Sequence, residues 1–421
     1  MKNINLNSNI ISTKLLIFIA YYLVFLTAFY LNEDSNGGAY QDYLGYKNII
    51  NLFLEDFKLT LLTFDELGER HSPIIIILLT LFYKFGITDE LIRFVFFNFS
   101  IISCIFFYKC LKLRFKDVSK NYLYIFSLIF FLSPTFRSLS VWPDSRILGF
   151  HFFVISVYFF LKYFNYKKNI LYCYLNIFFL ALSSYVSINF CVFGLYFFYH
   201  FYYELIKNKK LLNYLLINIF FAFPAFYYLF ILKVFFINTG LTPGNEINSF
   251  GILNSFNYSN KILIISSLIF FYFLPLLFYF RKKILDYKFS ILEFFLLSSF
   301  IIINIFLFNY KIEFTGGGIF FKGSNIIFGG NLIFYLISFI SIFLVYILFN
   351  ARNNYNNLII LILIMLSNPQ LSIYHKYYDP LLIFLFFTLF EFKINKNFFT
   401  TGNIILMNLF YLTFLVLNFI K

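Results

Sequence analysis

Apolar residues run through the chain in long blocks separated by short polar breaks. They fall at about 13–31, 73–86, 88–108, 121–136, 146–161, 170–184, 186–203, 211–232, 261–280, 289–308, 331–349, 357–367, 380–391 and 403–420. Such continuous runs predict helices. Lipid offers the backbone no hydrogen-bond partner, so a spanning segment must satisfy its own N–H and C=O groups, whereas a barrel strand would alternate apolar with polar positions. The expected fold is all-α: a polytopic transmembrane helical bundle forming a single integral membrane domain over residues 1–421. No internal repeat, Pro- or Gly-rich linker or separate soluble domain interrupts the pattern.

Basic residues orient the blocks, because Lys and Arg collect in cytoplasmic loops. Strong clusters are Lys109, Lys112, Arg114, Lys116 and Lys120; Lys162, Lys167 and Lys168; Lys207, Lys209 and Lys210; and Arg281, Lys282, Lys283 and Lys288. With Arg352, Lys393, Lys396, Lys2 and Lys14, 20 of the 33 Lys and Arg lie on one side. If every block crosses, the 109–120 cluster falls on the wrong side. The 73–86 block reaches only ~21 Å, short of the ~30 Å hydrocarbon core. The expectation is therefore 13 crossings plus one re-entrant or juxtamembrane segment at 73–86. In the alternative, 73–86 crosses and another short block, such as 357–367, does not. The apolar run from Leu15 to Leu31 has no small-residue cleavage site after it and reads as a retained anchor.

Composition supports this class. Of 421 residues, 61% are hydrophobic and 12% charged, against about 25% charged in soluble domains. A soluble enzyme, a disordered tail and a disulfide scaffold are excluded. The net charge of +14 resolves into cytoplasmic anchors, so no nucleic-acid partner is expected. Cys104, Cys110, Cys173 and Cys191 show no metal-ligand spacing and read as buried apolar thiols.

Chemistry is then sought in the carboxylates of the opposite, outer face. The first outer loop, about 32–72, contains an amphipathic stretch at 42–57 with Tyr46, Ile49, Ile50, Phe53, Leu54 and Phe57 at helical spacing, which predicts an interfacial juxtamembrane helix. Asp42 at its start is either a helix cap or a carboxylate that takes a proton from an acceptor hydroxyl. Glu33 and Asp34 are either solvated boundary acids or a metal or second general-base site. Glu69 and His71 are spaced to share a divalent metal ion, a set still short of a third ligand. His151 and His200 read as core histidines. Between two blocks, Asp144 at the bilayer edge needs a partner or a role, with Arg137 or Arg146 as the bland partner. The Gly-rich stretch 313–324 carries Lys322, and 375–380 carries His375, Lys376, Tyr377 and Asp379. Either lysine can meet a phosphate, or lie in a flexible loop or snorkel at the interface.

In order along the chain, these features resemble the GT-C superfamily of polytopic glycosyltransferases, in the branch of protein O-mannosyltransferases and the aminoarabinose transferase of lipid A. Asp42…Tyr46 is similar to the family's Asp-x-x-x-Tyr. His71-Ser72-Pro73 is similar to its His-Pro-Pro, with one proline replaced. Leu132-Ser133-Pro134 followed by Pro143-Asp144 matches its Leu-Ser-Pro and Pro-Asp, and Lys376-Tyr377-Tyr378-Asp379-Pro380 is similar to its Arg-Tyr-x-x-Pro, with Lys for Arg. The resemblance covers about 1–165 and 370–390. It implies inverting transfer of a sugar from a polyprenyl-phosphate donor to a lipid, glycan or protein acceptor at the outer face of a bacterial inner membrane. Asp42 would be the general base, with Asp34 a second candidate. Lys376, Lys322 or Arg146 would stabilise the leaving phosphate, with Tyr377 beside them, and Asp144, Glu69 and His71 would position the donor or hold a metal. A flippase of lipid-linked sugars and a polysaccharide polymerase or ligase are the competing readings.

Overall fold

The computed structural model describes residues 4–34, 38–67, 69, 71–166, 168–227, 231, 258–312, 316–349, 354–368, 372–392, 394 and 396–419. Lys2, Lys167, Glu246, Glu313, Arg352 and Lys393 lie outside them. Most of the described residues are helical, with no strand among them. They are α1 (Ile4–Tyr30), α2 (Ala39–Glu55), α3 (Phe57–Leu62), α4 (Pro73–Lys84), α5 (Asp89–Phe99), α6 (Ile101–Arg114), α7 (Lys120–Ser127), α8 (Pro134–Val141), α9 (Ser145–Asn165), α10 (Ile170–Val186), α11 (Phe193–Lys207), α12 (Leu211–Phe226), α13 (Tyr258–Leu285), α14 (Ile291–Phe306), α15 (Gly318–Phe328), α16 (Leu332–Phe349), α17 (Tyr355–Leu366), α18 (Leu381–Thr388) and α19 (Thr401–Phe419).

Among the described residues, six segments are long and apolar enough to cross a membrane: Thr13–Tyr30, Asp89–Arg114, Ser145–Asn165, Tyr258–Leu285, Leu332–Phe349 and Thr401–Phe419. Lys120–Leu132 with Pro134–Val141 makes a seventh if the two are one span bent by 65°. These helices make the chain an integral membrane protein. Thirteen crossings are not reached on length: α4, α10, α12, α14 and α17 are apolar but have at most 17 residues. At 12 residues, α4 is ~18 Å long, in keeping with the short segment expected at 73–86.

Two apolar blocks do something other than span in a straight line. In 380–391 the only helix is α18, eight residues long, all of them buried. It reaches ~12 Å and is apolar all round because it lies inside protein, not because it faces lipid. The 121–136 block breaks at Ser133-Pro134. Ser133 leaves the helical region and its hydroxyl accepts the Phe136 N–H at 3.1 Å. Pro134, lacking an N–H, occupies the first position of the next helix, where none is needed. The resulting α8 is buried at every residue and packs on α1, α5 and α9.

The phenylalanine excess has a packing role. Phe25 stacks on Phe97 at 4.0 Å and on Phe131 at 4.6 Å between ring centroids. Phe384 of α18 meets Phe107, Phe150 and Phe153. Rings from α1, α5, α6, α9 and α18 thus contribute to one buried hydrophobic core. His151 is a satisfied core histidine, bonded to Ser103 Oγ at 2.6 Å and Ser100 Oγ at 3.3 Å. Cys104, Cys110 and Cys173 are free and buried, whereas Cys191 is free and exposed.

Candidate active site

Four short pieces of chain converge: the first turn of α2, the loop before α4, the head of α9, and the 3-10 turn His375–Tyr377 that precedes α18. Each is placed by a local rule. Helix α2 begins three residues earlier than the amphipathic pattern indicates, because Gly38 adopts φ 59° as its cap, a left-handed conformation that glycine takes without strain. The buried stripe is Ala39, Tyr43, Tyr46, Ile49, Ile50 and Phe53. Asp42 is therefore not the helix cap. It sits in the first turn with its side chain free to reach across.

It reaches Lys376. Asp42 Oδ2 lies 2.5 Å from Lys376 Nζ, and Asp144 Oδ2 lies 4.0 Å from the same ammonium. All three side chains are buried or nearly so: Lys376 is 3% exposed, Asp144 0% and Asp42 14%. Burial alone would raise the Asp42 pKa, and it is the largest single influence. The nearby Lys376, His71 and Arg146 charges together outweigh it and hold the carboxyl at about 2.

Asp144 caps α9, accepting the Arg146 N–H at 2.6 Å and so placing Arg146 in the first turn. The Arg146 guanidinium stacks on the Tyr377 ring at 3.7 Å and donates to the Tyr377 hydroxyl at 2.5 Å. Asp144 thus takes neither arginine side chain as its partner. Arg137 instead pairs with Glu33.

Ahead of α4, Ser72 accepts the Ile74 N–H and donates to the Tyr185 carbonyl, and Pro73 starts the helix. His71 is thereby fixed just outside the first turn. Glu69 Oε1 lies 2.5 Å from His71 Nδ1 and accepts the His71 backbone N–H at 2.7 Å. Tyr46, one turn after Asp42 on the same face of α2, meets the His71 ring edge-on at 5.4 Å between centroids. At 2.5 Å, Oε1 and Nδ1 are bonded to each other, too close to share an ion that would sit ~2.0–2.2 Å from each. Among the described residues, no group of three or more His, Cys, Asp or Glu is arranged to hold a metal. The sequence-based metal reading of this pair therefore finds no third ligand.

Several buried atoms of the cluster have no hydrogen-bond partner: His71 Nε2, Asp144 Oδ2 and Arg146 Nη1. Beside Arg146 and Lys376 opens a crevice whose other walls include Ile147, Phe150, Phe190 and Leu381. Its free volume is ≈ 20 Å³, room for about one water, so any larger occupant must part the walls. Asp379 also lines it. That carboxylate is fully buried, accepts from Ser133 Oγ at 2.7 Å, and is pushed by burial up to about 6.

Two expected residues lie elsewhere. Asp34 is exposed and accepts the Tyr40 N–H at 3.2 Å, pinning the entry to α2. Lys322 is exposed on α15. The glycines before it serve packing: Gly316 has φ 100°, and an added Cβ there would lie 2.5 Å from the Ile373 carbonyl oxygen. Tyr46 and Asp379, both quoted in the sequence motifs but given no role there, are members of the site region.

Compared with family models, curated proteins and solved structures, the chain matches none of them.

Proposed function

We propose that the protein is a membrane glycosyltransferase that moves a sugar, with inversion, from a polyprenyl-phosphate donor to a hydroxyl of a lipid, glycan or protein acceptor at the outer face of a bacterial inner membrane. One observation carries this reading. Lys376 and Arg146 lie beside Asp42 and Asp144 and line a crevice that Ile147, Phe150, Phe190 and Leu381 also line. A polyprenyl-phosphate is charged at one end and apolar over the rest, and the crevice offers both kinds of partner, two cations and several apolar side chains. Its phosphate would meet Lys376 and the unpaired Nη1 of Arg146, while its tail would run toward Phe150, Phe190 and Leu381.

The meeting of distant motifs supports the same reading. Asp42…Tyr46, His71-Ser72-Pro73, Pro143-Asp144 and Lys376-Tyr377 are spread over more than 330 positions, and their side chains share one cluster. In the proposed reaction the acceptor oxygen attacks the anomeric carbon, and the carbon–phosphate-oxygen bond breaks with its electron pair going to the phosphate. Lys376 and Arg146 stabilise that charge. The hydroxyl proton must go to a base, and two groups of the cluster can take it: Asp42, once the phosphate has drawn Lys376 away, and His71.

The test supplies membranes holding the full chain with radiolabelled undecaprenyl-phosphate glucose and mannose, and counts label in new lipid, glycan and protein products. Transfer that depends on Lys376 is expected. Absence of transfer by the unaltered protein, with lipid-linked sugar crossing the bilayer of proteoliposomes, would replace this reading with a flippase. Label built into long polymer would assign a polymerase or ligase.

A further inference from the structure

The Glu69–His71 pair has the geometry of an oriented base. A carboxylate bonded to one ring nitrogen fixes the imidazole's tautomer and orientation and stabilises the imidazolium that forms when the other nitrogen takes a proton. Here Glu69 Oε1 holds Nδ1 at 2.5 Å and also the backbone N–H of His71 at 2.7 Å. The ring is 91% buried, packed edge-on by Tyr46, and Nε2 has no hydrogen-bond partner. A buried ring nitrogen without a partner is uncommon. This one lies in the cluster that contains Asp42, Lys376 and Arg146.

Building on the transferase reading, we propose that His71 Nε2, oriented by Glu69, is the general base that takes the acceptor hydroxyl proton, while Asp42 serves to hold Lys376 in place for the donor phosphate. In the step, the acceptor O–H proton passes to Nε2, the acceptor oxygen bonds to the anomeric carbon, and the phosphate leaves with the electron pair. The imidazolium then returns its proton to water.

The two candidate bases differ in what surrounds them. Proton uptake on Asp42 is opposed by an ammonium at 2.5 Å; although burial raises this carboxyl, Lys376 and the other nearby charges outweigh it and hold it below its ordinary value, which makes it a poor proton acceptor near neutral pH. His71 Nδ1 instead has a carboxylate oxygen at 2.5 Å, which holds the ring with Nε2 turned to the cluster's other groups. The charged and titratable groups around it are these. Glu69 is on its own loop, Asp42 and Tyr46 are on α2, Asp144 and Arg146 are at the head of α9, and Lys376 is on the 3-10 turn. Among the described residues, then, three carboxylates and two cations surround the ring.

The experiment measures initial rates of the transfer described above against pH for the unaltered protein, His71→Gln, Glu69→Gln and Asp42→Asn, with melting temperature as the fold control. His71→Gln is expected to lower kcat by about 10²–10⁴-fold, leave the donor KM within a few-fold, and remove the acid limb of the profile. Glu69→Gln is expected to move that limb, which a merely structural contact would not do, and it serves if His71→Gln folds poorly. Asp42→Asn is expected to act mainly on the donor KM. Transfer by His71→Gln with near-normal kcat, or loss of kcat in Asp42→Asn alone, overturns the assignment and leaves the transferase reading intact. No transfer by the unaltered protein overturns both.

Discussion

Two buried clusters of charge sit next to each other in this molecule, and they are built to opposite specifications. In the first, Arg137 is fully buried and every arm of its guanidinium is engaged. Nε donates to Glu33 Oε2 at 2.8 Å, Nη2 to Thr27 Oγ1 at 2.9 Å, and Nη1 to the Val24 and Phe131 carbonyls. Trp142 Nε1 donates to the Glu33 carbonyl, and Arg93 stacks on Trp142 at 3.7 Å while bonding Asn32. In the second, Lys376 is shared between Asp42 and Asp144, and His71 Nε2, Asp144 Oδ2 and Arg146 Nη1 are left without hydrogen-bond partners. A saturated buried ion pair ties α1 to α8 and offers nothing to a ligand. An unsaturated one carries a standing energetic cost that a bound group relieves.

Replacing Arg137 attacks the first cluster at its centre. Arg137→Met leaves Glu33 buried without its cation and should cost about 3–5 kcal/mol of stability, read as a large fall in melting temperature in detergent. A folded variant of normal melting temperature would erase the distinction. Lys376→Met is the matching change in the second cluster. It is expected to cut transfer by roughly 10²–10³-fold, about 3–4 kcal/mol in the transition state, with a much smaller effect on melting than Arg137→Met. A collapse of folding equal to that of Arg137→Met would make the second cluster structural too.

Asp379 sharpens the comparison through pH. Its carboxyl is raised to about 6 from an ordinary 3.8, so between those values the folded state binds more proton than the unfolded state. Stability must therefore fall as pH rises from about 4 through 6, and the loss is complete above 6. Asp379→Asn should remove that slope and melt higher than the parent at pH 7. Equal pH dependence of melting in both proteins would contradict it.

Smaller changes test the edges. Tyr377→Phe removes the hydroxyl that accepts from Arg146 and keeps the stacked ring, and should raise the donor KM by about 5–10-fold, the size of one lost hydrogen bond of ~1 kcal/mol. Asp34→Ala deletes only an exposed contact at the α2 entry. It is expected to change stability by less than about 1 kcal/mol and transfer not at all.

The residues of both clusters could be picked out in the chain before folding was considered, but their pairing could not, and the missing part has a definite cause. The apolar blocks correctly indicated helices, but not which of them meet lipid. The 380–391 block is as apolar as a span, yet protein surrounds it, and transfer from water favours burial in either surrounding to a similar degree. Among the candidate residues, Asp42, Glu69, His71, Asp144, Arg146, Lys376 and Tyr377 come together, whereas Asp34 and Lys322 do not. Residue type could not separate Lys376 from Lys322, because each lies in a stretch of sequence rich in aromatic or glycine residues. Nor could it tell that Arg137 belongs to Glu33, 104 positions away, rather than to the nearby Asp144.

The linear order of residues by itself determined the membrane class, the helical state and the short-range devices: the Ser133-Pro134 break, the Ser72-Pro73 start, the Asp144 cap and the shared face of Asp42 and Tyr46. These follow from backbone geometry and from contacts within a turn, which a sequence encodes directly. Only the tertiary structure decided which charges were paired off. An ion pair such as Asp42–Lys376 joins residues 334 positions apart, and whether a charge ends saturated or open depends on every helix packed around it.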